Sequence, residues 1–427
     1  MVVAFACALI VPFIAIKFSA KLSTLISKLA RKDKKVEESK LISDKLKPMD
    51  AFILLAFTVL YAVLLFYNIG SNFAPTTGYK LSSEDGFNEV ILDLGSYQKV
   101  SQVWIWVDYQ NTSCSFSWFN EDKNTWQELS YNHELRGVFH WHKLSLSGSL
   151  RYIGMVFPDE GHVINEIVLI DPDGNKIIPA NASKYINLFD EQAMFPGAPT
   201  FYNQMMFDEV YHARTAYEFV NDYSIYETTH PPLGKIIMEC GILLFGMNPF
   251  GWRFMSAIFG ILLIPITFAL AYVITGKRKE TYITTVLMSV GFMNFTLSRI
   301  GTIDIIVAIF ILLMFYFMIL YAKNISEGVF TRRQMIRLSL CGISMGLAIA
   351  TKWTGVYAAM GIAIMFFYSL YCYYKEHPTK TMVNELTKLG LFCVCVFILV
   401  PIVFYVLSYH EFVESYPGKG LVESVID

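Results

Sequence analysis

Long apolar stretches fill both ends of this chain, and a polar region with alternating character separates them. A helix needs about 17–25 apolar residues to cross a bilayer, and this pattern predicts a polytopic α-helical membrane protein with about eight spans. The predicted spans are Val2–Phe18, Ala51–Ile69, Phe254–Ile274, Tyr282–Leu297, Ile303–Ala322, Leu338–Ala350, Gly355–Tyr374 and Leu386–Leu407.

The apolar run Leu338–Tyr374 must contain a turn. It is 37 residues long, and Lys352 is its only charged residue. One helix of that length would extend to roughly 55 Å, which exceeds the thickness of a bilayer. We therefore predict a helical hairpin that turns within residues 351–355.

Basic residues predict which loops face the cytoplasm. They cluster between the first two spans and after three later spans, and placing all four clusters inside leaves residues 70–252, 298–302 and 351–355 on the extracytoplasmic side. The clusters are Lys17 to Lys47, Lys277 to Lys279, Lys323 to Arg337, and Lys375 to Lys388. This orientation requires Pro232–Met247 to be a juxtamembrane helix, because a span there would invert the later loops.

Residues 74–195 change to short alternating segments separated by turns, which predicts an antiparallel β-sandwich of the jelly-roll type. Three short patterns resemble a discoidin-type, galactose-binding-like domain: Leu92-Asp93-Leu94-Gly95, Arg151-Tyr152-Ile153 and Ile164-Asn165-Glu166-Ile167. The predicted strands are Val90–Gly95, Val100–Asp108, Cys114–Phe119, Trp141–Leu146, Arg151–Phe157 and Ile164–Ile170.

Five of the seven tryptophans lie in this insert. Alternating strand residues usually fill a core, so we favour burial over the alternative of a sugar platform. His140 and His142 flank Trp141, and we interpret them as solvated strand residues in preference to metal ligands. Carbohydrate binding by this domain stays open at this point.

Composition supports the membrane assignment: apolar residues make up 54% of the chain, charged residues 16%, and the mean hydropathy is +0.44. The sequence has no basic stripe with interleaved aromatic residues, so nothing in it indicates a nucleic-acid binder. Of the seven cysteines, only Cys114 lies in the polar region, which excludes a disulfide framework or a zinc spacing there. No metal site is predicted.

Two motifs carry the candidate chemistry. Phe207-Asp208-Glu209 comes about twenty residues before His230-Pro231-Pro232-Leu233-Gly234-Lys235. This pair resembles the protein O-mannosyltransferase family, and the resemblance continues through Arg253, through Ser298-Arg299 with Asp304, and through Gly346–Gly355, which contains Lys352-Trp353. It indicates the bacterial type, an integral-membrane GT-C glycosyltransferase.

The resemblance implies an inverting transfer of mannose from a polyprenyl-phosphate donor to a serine or threonine hydroxyl of a protein, without a further cofactor. It assigns the catalytic carboxylates to Asp208 and Glu209, and a supporting role to His230, Asp304 and Trp353. The donor phosphate would be bound by Arg253, Lys352, Lys235 and Arg299. The expected partners are this donor, an acceptor protein and membrane lipids.

Simpler interpretations of the same residues remain open. Asp208 and Glu209 can cap a helix, Lys235 can reach the lipid headgroups, and Lys352 and Arg253 can anchor the interface. Arg299 can pair with Asp304. Two other functions also remain: a related glycosyltransferase that acts on a lipid or glycan, and a membrane-anchored carbohydrate-binding protein.

The predicted organisation follows the order of these features. It comprises an extra N-terminal transmembrane helix (1–19), a basic cytoplasmic loop (20–50), a second transmembrane helix (51–70), the β-sandwich (74–195), a catalytic loop with juxtamembrane helices (196–252) and a transmembrane bundle (253–427). Because the family continues beyond this point, we expect that bundle to be C-terminally incomplete.

Overall fold

A computed structural model describes residues 44–81, 88–158, 161–378 and 381–415, apart from the side chains of Ser147 and Glu414. The predicted span Val2–Phe18 lies outside the described residues. The chain forms two compact units. We call Gly70–Val210 with Phe245–Gly251 the sheet unit, and Met1–Ile69, Tyr211–Leu244 and Trp252–Asp427 the helical unit.

Twelve α-helices occur among the described residues. They are α1 (Pro48–Phe66), α2 (Glu209–Val220), α3 (Leu233–Phe245), α4 (Pro249–Thr275), α5 (Arg278–Ser289), α6 (Phe292–Leu297), α7 (Asp304–Lys323), α8 (Arg332–Thr351), α9 (Thr354–Glu376), α10 (Met382–Val394), α11 (Val400–Ser408) and α12 (His410–Ser415). Six stretches in this part of the chain are long and apolar enough to cross a membrane: α1, α4, α7, α8, α9 and the run Met382–Val413. The polytopic helical class is therefore confirmed.

The predicted span Tyr282–Leu297 is interrupted. Gly291 has an extended backbone (φ −62°, ψ 115°), which separates α5, of 12 residues, from α6, of 6 residues. Neither helix alone reaches the length that a bilayer requires. A continuous span at this position was therefore the wrong prediction.

The predicted hairpin is confirmed at Lys352. This residue is extended (φ −159°, ψ 141°) between the end of α8 and the start of α9. A Cβ on Gly355 would lie 2.8 Å from the carbonyl carbon of Ala348, so the absence of a side chain lets the two helices approach closely at the turn. Helix α3 has 13 residues and is not among the helices of spanning length, and its juxtamembrane position stays a prediction.

The insert is an antiparallel sheet of seven strands in the order β1-β6-β2-β5-β3-β4, with β7 paired to β6. The strands are β1 (Tyr79–Lys80), β2 (Glu89–Val107), β3 (Thr112–Asn120), β4 (Thr125–Leu135), β5 (His140–Val156), β6 (Val163–Ile170) and β7 (Lys176–Ile177). The sheet is continuously hydrogen-bonded, and the discoidin-like relationship stays a prediction.

Strands β2 and β5 each combine two strands that the sequence predicted separately. Both are long, with 19 and 17 residues, and their pairing shifts register between Asp93 and Gln98. These irregularities let each strand bend and continue where the polar intervening residues predicted a turn. Strand β4 was not predicted, because most of its residues are polar or exposed.

The tryptophans divide between core and surface. Trp106 and Trp141 are buried and contact each other edge to face at 5.3 Å. Trp104 and Trp118 are half-buried, whereas Trp126 is 41% exposed. The solvated position predicted for His142 is wrong: the ring is buried, and its Nε2 lies 2.9 Å from the carbonyl oxygen of Gly137.

Candidate functional site

Glu209 is the first residue of α2, and Asp208 directly precedes it. Adjacent residues inside a helix point in different directions, so the two carboxylates could not face one point there. The backbone N–H of Met206 donates to Glu209 Oε2 at 2.9 Å, and the N–H of Glu209 donates to the Met206 carbonyl oxygen at 3.1 Å. Glu209 is only 1% exposed, and its carboxylate therefore satisfies a helix N-terminus. Asp208 is half-buried and follows the exposed Phe207, whose φ is +50°.

A second acidic residue organises the His-Pro-Pro segment within the helical unit. Glu227 is buried, and its carboxylate accepts hydrogen bonds from the N–H of Thr229 at 2.8 Å and of His230 at 3.2 Å. The Thr229 hydroxyl also donates to it. These bonds fold the chain immediately before Pro231 around one buried charge.

Lys235 balances that charge. Its ammonium forms an ion pair with the Glu227 carboxylate and donates to the carbonyl oxygens of Glu227 at 2.8 Å and His230 at 3.2 Å. The side chain is 0% exposed. An ammonium has three N–H donors, and these contacts engage all of them. The geometry therefore differs from the predicted role of Lys235 in phosphate or headgroup binding.

Two histidines lie against this pair. His212 is buried in α2 with its Nδ1 3.9 Å from the Glu227 carboxylate, and its ring centroid is 5.5 Å from that of His230. Burial lowers the pKa of His212 to about 4, against the opposing effect of Glu227. Burial likewise lowers the pKa of His230. Both imidazoles are therefore neutral at pH 7.

Lys235 also affects Glu227 in turn. Burial raises the pKa of Glu227, but the charge and hydrogen bond of Lys235 outweigh burial and hold the pKa below its usual value of 4.5. The carboxylate therefore remains ionised at neutral pH. The result is a charged pair next to two neutral imidazoles.

Gly234 determines where this segment packs. A Cβ at this position would lie 2.6 Å from Ile303 Cγ2 and 3.0 Å from Thr351 Cγ2. The first turn of α3 therefore contacts the residues immediately before α7 and at the end of α8. Those helix ends carry Asp304 and Lys352. The glycine of the motif thus brings the His-Pro-Pro segment close to residues far along the chain.

Asp304 and Lys352 form an ion pair with a distance of 2.6 Å between Nζ and Oδ1. The hydroxyl of Thr302 donates to the other carboxylate oxygen at 3.0 Å. Both charged side chains keep some exposure, 21% for Lys352 and 30% for Asp304. The pair is electrostatically coupled to His230. We call His212, Glu227, His230, Lys235, Asp304 and Lys352 together the charge cluster.

The two arginines of the predicted phosphate site contact the end of α1. Arg299 donates to the carbonyl oxygens of Leu64, Leu65, Tyr67 and Asn68 at 2.7–3.1 Å. Arg253 is 3% exposed and donates to the Ile69 carbonyl oxygen at 2.8 Å. Cations suit the carbonyl end of a helix. Arg299 therefore caps α1, and the alternative in which it pairs with Asp304 is wrong.

Trp353 is 54% exposed and meets the ring of Tyr405 edge to face at 5.9 Å. It follows Lys352 directly, so an accessible aromatic side chain lies next to a partly accessible cation. This arrangement leaves the supporting role of Trp353 open to test.

The structure thus brings together four of the predicted residues, namely His230, Lys235, Asp304 and Lys352. It adds His212 and Glu227, which the sequence analysis did not select. Glu227 has the opposite charge to Lys235 and comes eight residues before it. The two prolines between them gave no indication that the side chains would be in contact. Asp208 belongs to the sheet unit, and its convergence with Arg253 and Lys352 stays a prediction.

One acidic group among the described residues has the spacing to hold a metal ion. Oxygens of Glu166, Asp190 and Glu191 lie within 4.8 Å of one another. The N–H groups and hydroxyls of Thr76 and Thr77 donate to Glu191, and the Thr77 hydroxyl also donates to Asp190. These hydrogen bonds account for much of the acceptor capacity of the group.

Part of the helical unit is similar to a known protein family. Residues 240–412 match the family described as dolichyl-phosphate-mannose-protein mannosyltransferase. The resemblance to the protein O-mannosyltransferases is confirmed. The matched region contains Arg253, Arg299, Asp304 and Lys352, and it begins after the Asp208 and His230 motifs.

Similar curated proteins are named polyprenol-phosphate-mannose–protein mannosyltransferase. The one from Mycolicibacterium smegmatis is 26% identical over 244 residues, which cover 51% of this chain and 47% of the relative. The one from Corynebacterium glutamicum is 31% identical over 154 residues, covering 32% of this chain and 30% of the relative. The chain thus spans about half the length of the Mycolicibacterium relative.

A solved structure of the Saccharomyces cerevisiae protein O-mannosyltransferase Pmt1-Pmt2 complex bound to the sugar donor also aligns. The TM-score is 0.43 and the identity 19%, over 49% of this chain and 30% of that chain.

Proposed function

We propose that this chain transfers a mannosyl residue from a polyprenyl-phosphate donor to serine or threonine hydroxyls of proteins. The observation that carries the proposal is the packing of the His-Pro-Pro segment next to the Asp304–Lys352 pair, which Gly234 makes possible. These groups come from separate motifs of one family, and Lys352 lies within the region that matches it.

Asp208 acts as the general base in this proposal. It takes the proton of the acceptor hydroxyl while that oxygen attacks C1 of the mannose, and the bond between C1 and the phosphate oxygen breaks with inversion. Glu209 holds the start of α2, so that the half-buried Asp208 has a fixed backbone. The two carboxylates therefore have different tasks.

The departing phosphate needs positive charge, and the contacts favour Lys352 for this role. Its ammonium is partly exposed and is oriented by Asp304. Arg253 acts indirectly, because it is 3% exposed and donates to the Ile69 carbonyl oxygen. Lys235 and Arg299 act indirectly, because the first is enclosed by Glu227 and His230 and the second by carbonyls of α1. His230 keeps a neutral ring next to Lys352 and can donate to or accept from the substrate.

The site is proposed to face the extracytoplasmic side, as the distribution of basic loops predicts. The donor would then enter from the lipid and the acceptor protein from the aqueous phase. No metal or other cofactor is required by this scheme, since phosphate is already a good leaving group.

The decisive assay measures transfer of labelled mannose from polyprenyl-phosphate mannose to a serine- and threonine-containing peptide by the full chain in membranes. We expect Asp208→Asn and Lys352→Met to lower the rate at least a hundredfold. Asp122→Asn, at an exposed turn of the sheet unit, is the matched control and should keep the wild-type rate.

Equal rates for wild type and Asp208→Asn would remove the proposed base. A wild-type chain that labels a lipid or glycan and leaves peptides unlabelled would establish the related glycosyltransferase in place of the protein mannosyltransferase. Absence of any transfer by this chain would refute the proposed activity.

A further inference from the structure

A row of aromatic side chains crosses one face of the sheet. Phe119 on β3 is the direct partner of Trp126 on β4, and its ring meets Tyr152 of β5 on the other side. Tyr152 is in turn paired with Asp93 of β2. Successive strand residues point to opposite faces, and the neighbours Leu92 and Ile153 are fully buried in the core. The row therefore lies on the outward face.

Trp126 covers a glycine on this face. A Cβ on Gly154 would lie 3.1 Å from Cζ3 of the indole and 2.6 Å from the Ser117 hydroxyl oxygen. The indole therefore extends across β3 and lies over the bare backbone of β5. Since Trp126 is 41% exposed, a large part of the ring remains accessible from solvent.

Hydrogen-bonding groups border the row at both ends. Near Trp126, an oxygen of Glu89 lies 3.4 Å from the position that a Cβ of Gly154 would occupy. Near Tyr152, Glu121 accepts a hydrogen bond from the Tyr97 hydroxyl at 3.0 Å and pairs with Arg151 at 3.3 Å. The guanidinium of Arg151 also lies over the Tyr152 ring at 4.9 Å.

Sheet stability alone explains only part of this arrangement. Aromatic pairs across strands contribute about 0.2–1 kcal/mol each, and an aromatic ring can shield a strand glycine. Neither effect needs a border of partly exposed acids. The carboxylates of Glu89, Asp93 and Glu121 and the guanidinium of Arg151 lie along this border, so it offers hydrogen-bond acceptors and more negative than positive charge, which disfavours an anionic ligand.

We propose that this face binds a neutral hexose unit of a glycan. The apolar C–H face of the sugar would stack on Trp126, and its hydroxyls would donate to Glu89, Glu121 and the Ser117 hydroxyl. Amphipathic rings with bordering acceptors match a ligand that has an apolar face and a hydroxylated edge. This site is independent of the mannosyl-transfer proposal and would hold a glycan at the sheet unit whatever the acceptor of that reaction.

The test uses the full chain in detergent micelles, titrated calorimetrically with linear neutral hexasaccharides of mannose and of glucose. An anionic heparin hexasaccharide is the comparison ligand. We expect at least one neutral hexasaccharide to bind and Trp126→Ala to weaken it at least tenfold. Trp126→Phe keeps a ring and should bind with intermediate affinity. Tyr131→Ala is the matched control, because Tyr131 lies on the same strand, is 77% exposed and is outside the row.

Three outcomes would overturn the proposal. They are no binding of either neutral hexasaccharide, equal affinity of wild type and Trp126→Ala, and preferential binding of the anionic ligand. If thermal unfolding shows that Trp126→Ala does not fold, the affinity of Glu121→Gln is compared with that of wild type instead. That exposed substitution should weaken binding at least threefold, and an unchanged affinity would refute the assigned border.

Discussion

Replacing Lys235 by methionine tests the buried pair directly. The ammonium is fully enclosed, and its partner Glu227 is only 7% exposed. Methionine keeps most of the apolar stem but leaves the Glu227 carboxylate buried without a countercharge. Removing one partner of a buried ion pair costs about 3–5 kcal/mol of the free energy of unfolding. That is a large share of the roughly 5–15 kcal/mol typical of a folded domain.

A second substitution separates charge from packing. In the double variant Lys235→Met with Glu227→Gln, the glutamine oxygen can still accept from the N–H groups of Thr229 and His230, and no buried charge remains. We expect it to be more stable than the single variant Lys235→Met. Lys277→Met is the surface control, because its pair with Glu280 is exposed and such pairs contribute about 0–1 kcal/mol.

Unfolding in detergent micelles, followed by tryptophan fluorescence against denaturant, measures these differences. A parallel transfer assay distinguishes the structural role from the phosphate role that the sequence suggested. Wild-type stability together with a raised KM for the donor would refute the structural assignment of Lys235. Equal destabilisation by Lys277→Met would show that burial is irrelevant to the effect.

Three further substitutions probe packing and titration. Gly234→Ala places a methyl group 2.6 Å from Ile303 and should lower the unfolding temperature by an overpacking cost of about 1–3 kcal/mol, whereas Gly390→Ala, with open space around it, should not. Burial raises the pKa of Glu166 to about 8 from 4.5, so only the unfolded state releases its proton between those values. The contribution of Glu166 to stability should then fall as pH rises from 4.5 to 8, and Glu166→Gln should remove that contribution in thermal melts compared with wild type. His212, with its pKa lowered to about 4, is protonated first in the unfolded state as pH falls below 6.5. The contribution of His212 to stability should decrease as pH falls from 6.5 to 4, and an identical pH dependence in wild type and His212→Gln would contradict this assignment.

Much of the helical architecture could be predicted from the sequence. Apolar length alone predicted the six spanning stretches to within six residues at each end, because a helix must match the bilayer. The turn at Lys352 followed from the same argument. The segment around Gly291 shows the limit of prediction from apolar length. Its residues are apolar enough to span, but the backbone at Gly291 is extended and separates α5 from α6.

The candidate site was predicted in part. The motifs contain His230, Asp304 and Lys352, which the fold brings together, but they could not reveal the partners of these residues. Arg299 binds carbonyls of α1 more than 230 residues earlier in the chain, and Asp304 pairs with Lys352, 48 residues later. Glu227 belongs to none of the motifs. Its contact with Lys235 forms only when the chain folds around Pro231 and Pro232.

The amino-acid sequence is sufficient to predict which segments are apolar, which alternate and which residue types the motifs supply. These properties depend on local composition and on the periodicity of helix and strand. Which charges are enclosed and which stay accessible depends on the folded arrangement of the chain. Lys235 and Lys352 are both lysines of family-like motifs, yet one is fully buried by Glu227 and the other remains partly exposed beside Asp304. That difference arises because electrostatic pairing and burial depend on distances between residues that the chain brings together only when it folds.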